Sequence, residues 1–406
     1  MISMRLLFVA DGRSPIALNW IEYFVQTGHE VHLVSTFNFA PDLAFASLHI
    51  VPVAFSSFRS REMGEIRGIS SKRSLLRLIP VGLRTSIRQW LGPITLQGAS
   101  RRLAKIIRDI QPDLVHAMRI PYEGMTAALA LEDQRGLPLI ISVWGNDFTL
   151  HAASTARMGR LTHQAMSRAD ALHTDCQRDA RLAIQWGYDP EKPVRVLPGS
   201  GGVKLDVFSP GDRAQDSLPD DTLMVTNPRG LRAYVRNDTF FKAIPLAIRE
   251  NPRLHFLCTA MLGEPEAESW LKELEIENWV TLLPLLQHAD MAPLFRRSQI
   301  IVSPSEHDGT PNTLLEAMAC GCFPVAGDLE SIREWIVPGV NGLLFNPSDP
   351  ADLAQAILVA SNQPDLRKAA QEYNTRLVAN KAEYRQVLDQ ALSFYLEVLA
   401  SRPAYG

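Results

Sequence analysis

Residues 303–321 read S-P-S-E-H-D-G-T-P-N-T-L-L-E-A-M-A-C-G, a strand end, a glycine turn and a helix start in one short run. Just upstream, residues 299–302 (Q-I-I-V) are short and continuously apolar, the pattern of a strand buried on both faces of a parallel sheet. The turn follows at residues 308–312, where Gly309 can take φ > 0 and Thr310 or Asn312 can cap the next helix. Leu314, Leu315, Ala317 and Met318 supply that helix with an apolar face, and Gly321 lies just past its end. Strand, turn and helix start together present backbone N–H groups and a positive dipole end to an anion. Asp308 precedes the helix and Glu316 lies about one turn inside it, so both can face a ligand held there. In isolation the same residues also suit a surface turn with a solvated glutamate.

The pattern repeats along the chain. Residues 4–10 form an apolar strand, residues 11–15 (D-G-R-S-P) a turn, and a helical pattern runs to Gln26 before a second strand at 31–35. This βαβ opening places Gly12 and Arg13 at the carboxyl end of the first strand, where open α/β sheets bind ligands. It lacks G-x-G-x-x-G, so a nicotinamide dinucleotide is not indicated. Residues 113–118 and 138–144 read as further strands, followed by Arg119 and Asp147. His29 and His32 read as surface and strand residues, and His116 as a packed strand histidine. Residues 194–198 end the first half, and a glycine-rich, then polar, run marks a boundary. The second half restarts at 222–228 with Arg229 and Arg236 at the two ends of a loop, then alternates strand and helix into the central motif. The expected division is therefore a Rossmann-like domain over 1–205, a linker over 206–221 and a second Rossmann-like domain over 222–383, with an amphipathic helix at about 384–402 after it.

Length agrees with two domains, since 406 residues exceed what one core usually serves. The chain is 46% hydrophobic and 21% charged, with no apolar tract of about 18 residues to span a bilayer. The apolar start runs straight into a turn without a basic leader, which reads as a first strand and a cytoplasmic protein. Four scattered cysteines, with Cys320 and Cys322 lacking zinc-site spacing, read as buried thiols. Net charge is −3, yet residues 56–105 hold eleven Lys and Arg against Glu62 and Glu65, interleaved with Leu, Ile and Trp. Two readings stay open there, a surface that lies on anionic membrane and a solvated helical cover. Nucleic acid is a poor partner, because no binding-module signature accompanies the basic run.

The central motif, Asp308, G-T-P-N-T-L-L, Glu316, then A-M-A-C-G-C-F-P-V-A, resembles the signature of retaining nucleotide-sugar glycosyltransferases of family 4. In that family a glutamate, seven residues and a second glutamate precede A-M-A-x-G. Residues 327–334 and 338–344 resemble the family's next loop, turn and strand, and residues 199–210 its interdomain linker. Three positions depart. Asp308 stands where the family has Glu, Met118 where D-x-V-H-x-H has its second histidine, and Trp144 where x-H-G-x-D has histidine.

The resemblance implies an α/β protein of GT-B fold, two Rossmann-like domains facing across a cleft, with 1–205 as the acceptor-binding domain, 222–383 as the nucleotide-sugar-binding domain and the helix at about 384–402 packing back on the first. It implies a nucleotide-diphosphate sugar donor, UDP- or GDP-linked, and a hydroxyl acceptor that is a glycan, glycolipid or small molecule. No metal is implied, since the D-x-D pair is missing and arginines replace it. By carry-over Asp308 faces the donor sugar, Arg229 and Arg236 contact the diphosphate, and Glu316 binds the ribose. Gly12, Gly309, Thr310, Pro311, Asn312, Thr313 and Leu314 are donor-side positions, while Arg13, Arg119 and Asp147 are acceptor-side candidates. A second reading, motivated by Met118 and Asp308, is a GT-B binding or regulatory protein that has kept the nucleotide site and lost transfer.

Overall fold

The computed structural model describes residues 3–54, 56, 81–134, 136–211 and 221–401. Residues 57–80, the greater part of the basic stretch, and 212–220 of the expected linker lie outside the described residues. The chain divides into two compact units, Met1–Gly202 with Arg385–Gly406, and Val203–Tyr384.

The first unit is built on a parallel sheet of β1 (Arg5–Ala10), β2 (Glu30–Ser35), β3 (Ser47–Ile50), β4 (Leu114–Ala117), β5 (Leu139–Val143), β6 (Ala171–Thr174) and β7 (Val194–Val196). Its order is β3-β2-β1-β4-β5-β6-β7. Apart from β3 and β7 the strands are almost continuously buried, because helices cover both faces of a parallel sheet. The short edge strand β3 left no signal in the sequence; its S-L-H-I is half-buried at best. The strand order reverses between β1 and β4, so the loops after these two strands diverge and leave a crevice at their carboxyl ends.

Side chains alternate across the sheet. Leu7, Val9, Val115 and Ile141 join one core with Leu103, Met125 and Met166. On the opposite face Phe8 packs against Phe24 and His116, and the helix Tyr384–Ala400, which belongs to this unit from Arg385 onward, brings in Tyr395 stacked on Phe24 at 4.8 Å. Here one hydrogen-bond chain crosses the sheet. Trp20 Nε1 donates to Tyr395 Oη at 3.0 Å, and the Tyr395 hydroxyl donates to His116 Nδ1. His116 Nε2 donates to Ser142 Oγ at 2.8 Å, and Ser142 donates to His173 Nδ1 at 2.8 Å. His173 Nε2 ends the chain on the Leu197 carbonyl at 3.0 Å. Because that carbonyl only accepts and indole only donates, one direction and one tautomer per histidine satisfy every member. Burial holds both imidazoles neutral, pulling His173 down to about 4 and His116 well below its usual value. His29, expected at the surface, is buried, whereas His32 lies in β2 as expected and is buried there. His29 Nδ1 accepts from the Met4 amide at 3.2 Å, and His32 sits between Ser47 Oγ and Glu30.

The second unit repeats the design with β8 (Leu223–Asn227), β9 (Leu254–Cys258), β10 (Val280–Leu282), β11 (Ile300–Ser303), β12 (Phe323–Gly327) and β13 (Leu343–Phe345). All pairs are parallel, in the order β10-β9-β8-β11-β12-β13, and the reversal falls between β8 and β11. Phe240, Phe241, Phe256, Val302 and Phe323 anchor its core. The four cysteines are buried thiols, none of them in a disulfide.

Tyr395→Phe removes a hydroxyl while keeping the stacked ring, leaving Trp20 Nε1 and His116 Nδ1 buried without partners. It should destabilise the first unit by about 1–3 kcal/mol, read as a lowered thermal midpoint. An unchanged midpoint would show that water replaces the hydroxyl.

Candidate functional site

The strand reversal in the second unit brings together two loops that are far apart in sequence. The loop after β8 carries Arg229 and Arg236, and the loop after β11 carries Asp308. Asn227 and Asn237 pin the first loop: Asn227 Oδ1 accepts from the Arg229 amide at 3.0 Å, and Asn237 Nδ2 donates to the Gly230 carbonyl at 2.9 Å. The loops are zipped by backbone, with the Arg236 amide donating to Pro304 at 2.7 Å and the Glu306 amide to Tyr234 at 3.0 Å.

Within this frame Arg229, nearly buried, donates through Nη2 to Asp308 Oδ2 at 2.6 Å and through Nη1 to Thr313 Oγ1 at 3.3 Å. Arg236 lies at the other end of the loop. Its Nε and Nη2 hold Asp238 at 2.9 and 3.0 Å, and Nη1 reaches Glu306 at 3.3 Å and Ser348 at 3.0 Å. Its pKa is raised, chiefly by the Asp238 hydrogen bonds. Both cations are fixed in orientation and partly balanced by acids.

The helix start differs from expectation in detail. Helix Asn312–Ala319 begins after Pro311 with no side-chain cap. Thr310 lies one residue before the N-cap position, which Pro311 occupies, and its Oγ1 accepts from Trp335 Nε1 at 3.0 Å; Asn312 is already the first helical residue. Gly309 does not use a positive φ. Instead, Asp308 shapes the turn: its Oδ1 accepts from the Gly309 amide at 3.2 Å and its carbonyl from Ser331 Oγ at 2.7 Å. Leu314 is fully buried in the core and its amide is bonded to Pro311, so it supports the site from below.

Glu316, also nearly buried, is paired with a residue that sequence reasoning passed over. His288 Nε2 lies 2.8 Å from Glu316 Oε1, with its ring 4.9 Å from Phe208. The glutamate hydrogen bond raises the His288 pKa. No sequence motif marks this histidine; the pairing spans two helices.

The reversal in the first unit gathers the acceptor-side candidates. Arg13 grips Asp11 at 3.1 and 3.0 Å and lies over the Phe37 ring at 3.4 Å. Gly12 allows the β1 loop to lie on the β2 loop, since a Cβ there would meet Ser35 Oγ at 2.6 Å. Arg119 donates to Asp147 at 2.6 Å and to Asn146 at 3.1 Å. Asp147 itself is buried and also accepts from the Ile120 and Trp144 amides, so it positions two loops rather than facing solvent. Met118 is buried. Two unforeseen neighbours are Arg88 and Glu123. Burial pushes the Glu123 carboxyl up to about 7, its Oε1 accepts from Thr36 at 2.7 Å, and Oε2 has no hydrogen-bond partner. Elsewhere in this unit Asp175, Cys176 and Asp179 approach one another closely, but Arg178 already pairs with Asp179 at 2.8 Å.

Two family models match the chain: one described as a glycosyl transferase 4-like domain over residues 12–199, the other as glycosyl transferases group 1 over 230–363. Curated relatives include D-inositol 3-phosphate glycosyltransferase of Geodermatophilus obscurus, 27% identical over 57% of this chain and 53% of that protein. The Mycobacterium tuberculosis protein of the same name is 30% identical over 48% of this chain and 41% of its own length. The chain thus spans about half the length of the curated relatives it matches. Among solved structures, sucrose-phosphate synthase from Thermosynechococcus elongatus aligns with a TM-score of 0.75 at 17% identity, covering 98% of this chain and 100% of that one. Anabaena HepE in complex with UDP-glucose aligns with a TM-score of 0.69 at 16% identity, over 97% and 100%. No helix among the described residues is long and apolar enough to cross a membrane.

The His288–Glu316 pair sets a pH test. Because the folded pKa of His288 is raised, its contribution to stability is full below the unfolded value of 6.5 and is lost as pH rises through the folded value. The thermal midpoint of wild type should exceed that of His288→Gln at pH 6 by a margin that shrinks by pH 9. A margin independent of pH would show that the ring acts by packing on Phe208 alone.

Proposed function

The chain belongs to the group 1 glycosyltransferases and has their GT-B fold of two Rossmann-like domains, and on that footing we propose that it moves a sugar from a nucleotide-diphosphate sugar to a hydroxyl acceptor with retention of configuration. The observation that carries this reading is the convergence of Arg229, Asp308 and Thr313 beside an uncapped helix start at the strand reversal of the second unit. Anion, sugar and ribose each have a matching group. The guanidiniums of Arg229 and Arg236 offer fork geometry to the diphosphate oxygens, and the helix N-terminus adds its dipole. Asp308 faces the sugar and Glu316 accepts from the ribose hydroxyls, oriented by His288.

In the step itself the bond from the anomeric carbon to the diphosphate oxygen breaks, and the diphosphate leaves with the electron pair. The acceptor oxygen bonds to the same face, and its proton passes to the departing diphosphate oxygen. No protein base is required, which agrees with Met118 in place of the family histidine. Charge grows on the diphosphate in the transition state, so the arginines contribute most there. The reading is metal-independent because cationic side chains carry that charge. The donor is UDP- or GDP-linked; the bound UDP-glucose of the Anabaena neighbour favours UDP.

Turnover is tested by incubating UDP-, GDP- and ADP-sugars with the protein and following hydrolysis or transfer. Arg229→Ala and Arg236→Ala should each lower turnover about a hundredfold, the usual order for one lost transition-state donor. Unchanged kinetics in both refute the clamp, and nucleotide binding without turnover on any sugar favours a binding protein.

A peripheral membrane role rests on a separate observation. Around the helix Val81–Leu91, Ile87, Trp90, Leu91 and Ile94 are exposed, Trp90 by 69%. Apolar side chains on the described end of a basic stretch suit an anionic lipid interface, each nearby Lys or Arg contributing about 1 kcal/mol. Flotation with phosphatidylserine vesicles at low salt should carry the protein upward, and Trp90→Ser should reduce it. Wild type that stays at the bottom at low salt rules the role out.

A further inference from the structure

We propose that the strand reversal of the first unit holds an anion-binding subsite in which Arg88 and Arg13, both against the Phe37 ring, grip an oxyanion of the acceptor, a phosphate or a carboxylate. This deepens the glycosyltransferase reading and rests on it for the word acceptor.

The case begins with placement. Loops after β1, β2 and β4 converge where the strand order turns, the position at which open α/β sheets receive ligands. They deliver Arg13, Phe37 and Glu123 to one spot. Arg88 comes from the separate helix Val81–Leu91 and is held there by design of the backbone. The Tyr122 hydroxyl donates to the Arg88 carbonyl at 2.8 Å, and the Arg88 guanidinium lies 4.6 Å from the Tyr122 ring centroid and 5.4 Å from that of Phe37. Tyr122 reaches this place with φ of +71°, a conformation that costs a non-glycine residue energy. Gly92 is shaped to receive it, since a Cβ there would meet the Tyr122 ring at 2.7 Å. Strain fixed in place by surrounding packing is typical of positions that must present a group accurately.

Charge decides what the spot would take. Arg13 has Asp11 as its counter-ion and Arg119 has Asp147. Arg88 has no ion pair among the described residues; the two rings stabilise its charge without neutralising it. Burial lowers its pKa, so the cation is partly stripped of water. Glu123, whose charge acts on Arg88, is 2% exposed with one buried oxygen unpartnered. Burial pushes its carboxyl up to about 7, favouring the protonated form far more than in an exposed glutamate. The cluster therefore retains a cation and an unsatisfied carboxyl oxygen in a partly buried place. An oxyanion satisfies both: its oxygens accept from the Arg88 fork, and a protonated Glu123 donates to another. A neutral hydroxyl would leave Arg88 unbalanced.

Calorimetric titration at fixed ionic strength tests the subsite, with inorganic phosphate in one arm and acetate in the other. Arg88→Gln should weaken binding of whichever anion wild type takes at least tenfold, the effect of one lost charge-assisted contact, while UDP affinity stays within twofold. Arg88→Lys, which keeps charge but not the fork, should fall between. Arg236→Ala should weaken UDP and leave the Arg88-dependent anion binding in place, separating it from the diphosphate site. Binding of phosphate or acetate insensitive to Arg88→Gln, or no binding of either by a wild type that binds UDP, overturns the subsite. Anion binding that depends on Arg88 in a protein that never binds a nucleotide keeps the subsite and overturns the donor reading instead.

Discussion

Arg229 and Asp308 meet at 2.6 Å although 79 positions separate them in the chain. They meet because β8 and β11 are neighbours in a sheet whose strands all run the same way. A parallel strand must return through a crossover, so every carboxyl end falls on one edge of the sheet. At the point where the order reverses, the crossovers leave in opposite directions and the edge stays open. Both units obey this constraint, and in each the polar cluster is found at that edge.

The two edges are equipped differently. In the second unit the arginines are matched by acids: Asp308 for Arg229, and Asp238 and Glu306 for Arg236. The helix Asn312–Ala319 adds a start with no side-chain cap, since Pro311 holds the N-cap position. In the first unit Asp11 and Asp147 lock two arginines into the loops, and aromatic rings shelter a third. Preorganisation is common to both. Asn227, Asn237 and Ser331 hold the loops of one unit, while the strained Tyr122 and the recess at Gly92 hold the other.

Away from these edges the buried polar groups serve the fold. The chain from Trp20 through Tyr395, His116, Ser142 and His173 to Leu197 ties the C-terminal helix to three strands, with every donor and acceptor satisfied. His116, one residue pair away from the departure at Met118, is thereby committed to structure. A buried histidine held neutral by desolvation and by fixed partners on both nitrogens has no proton to exchange with a substrate near neutral pH.

Much was legible in residues alone. Largely apolar runs at 4–10 and 299–302 lie within one residue of β1 and β11, because burial on both faces of a parallel sheet removes most polar residues from the strand itself. The motif from Asp308 to Gly321 carried both the family resemblance and the turn between strand and helix. Its finer claims were decided elsewhere. Thr310 bonds Trp335, 25 positions on, and Pro311 takes the N-cap position, while Glu316 pairs with His288 from 28 positions upstream. Arg88 read as one more cation in a basic run, and Glu123 carried no signal at all. Strand periodicity and turn chemistry are short-range and written locally. Which side chains meet depends on sheet order and helix packing, and those bring together residues whose spacing in the chain says nothing about their distance in space.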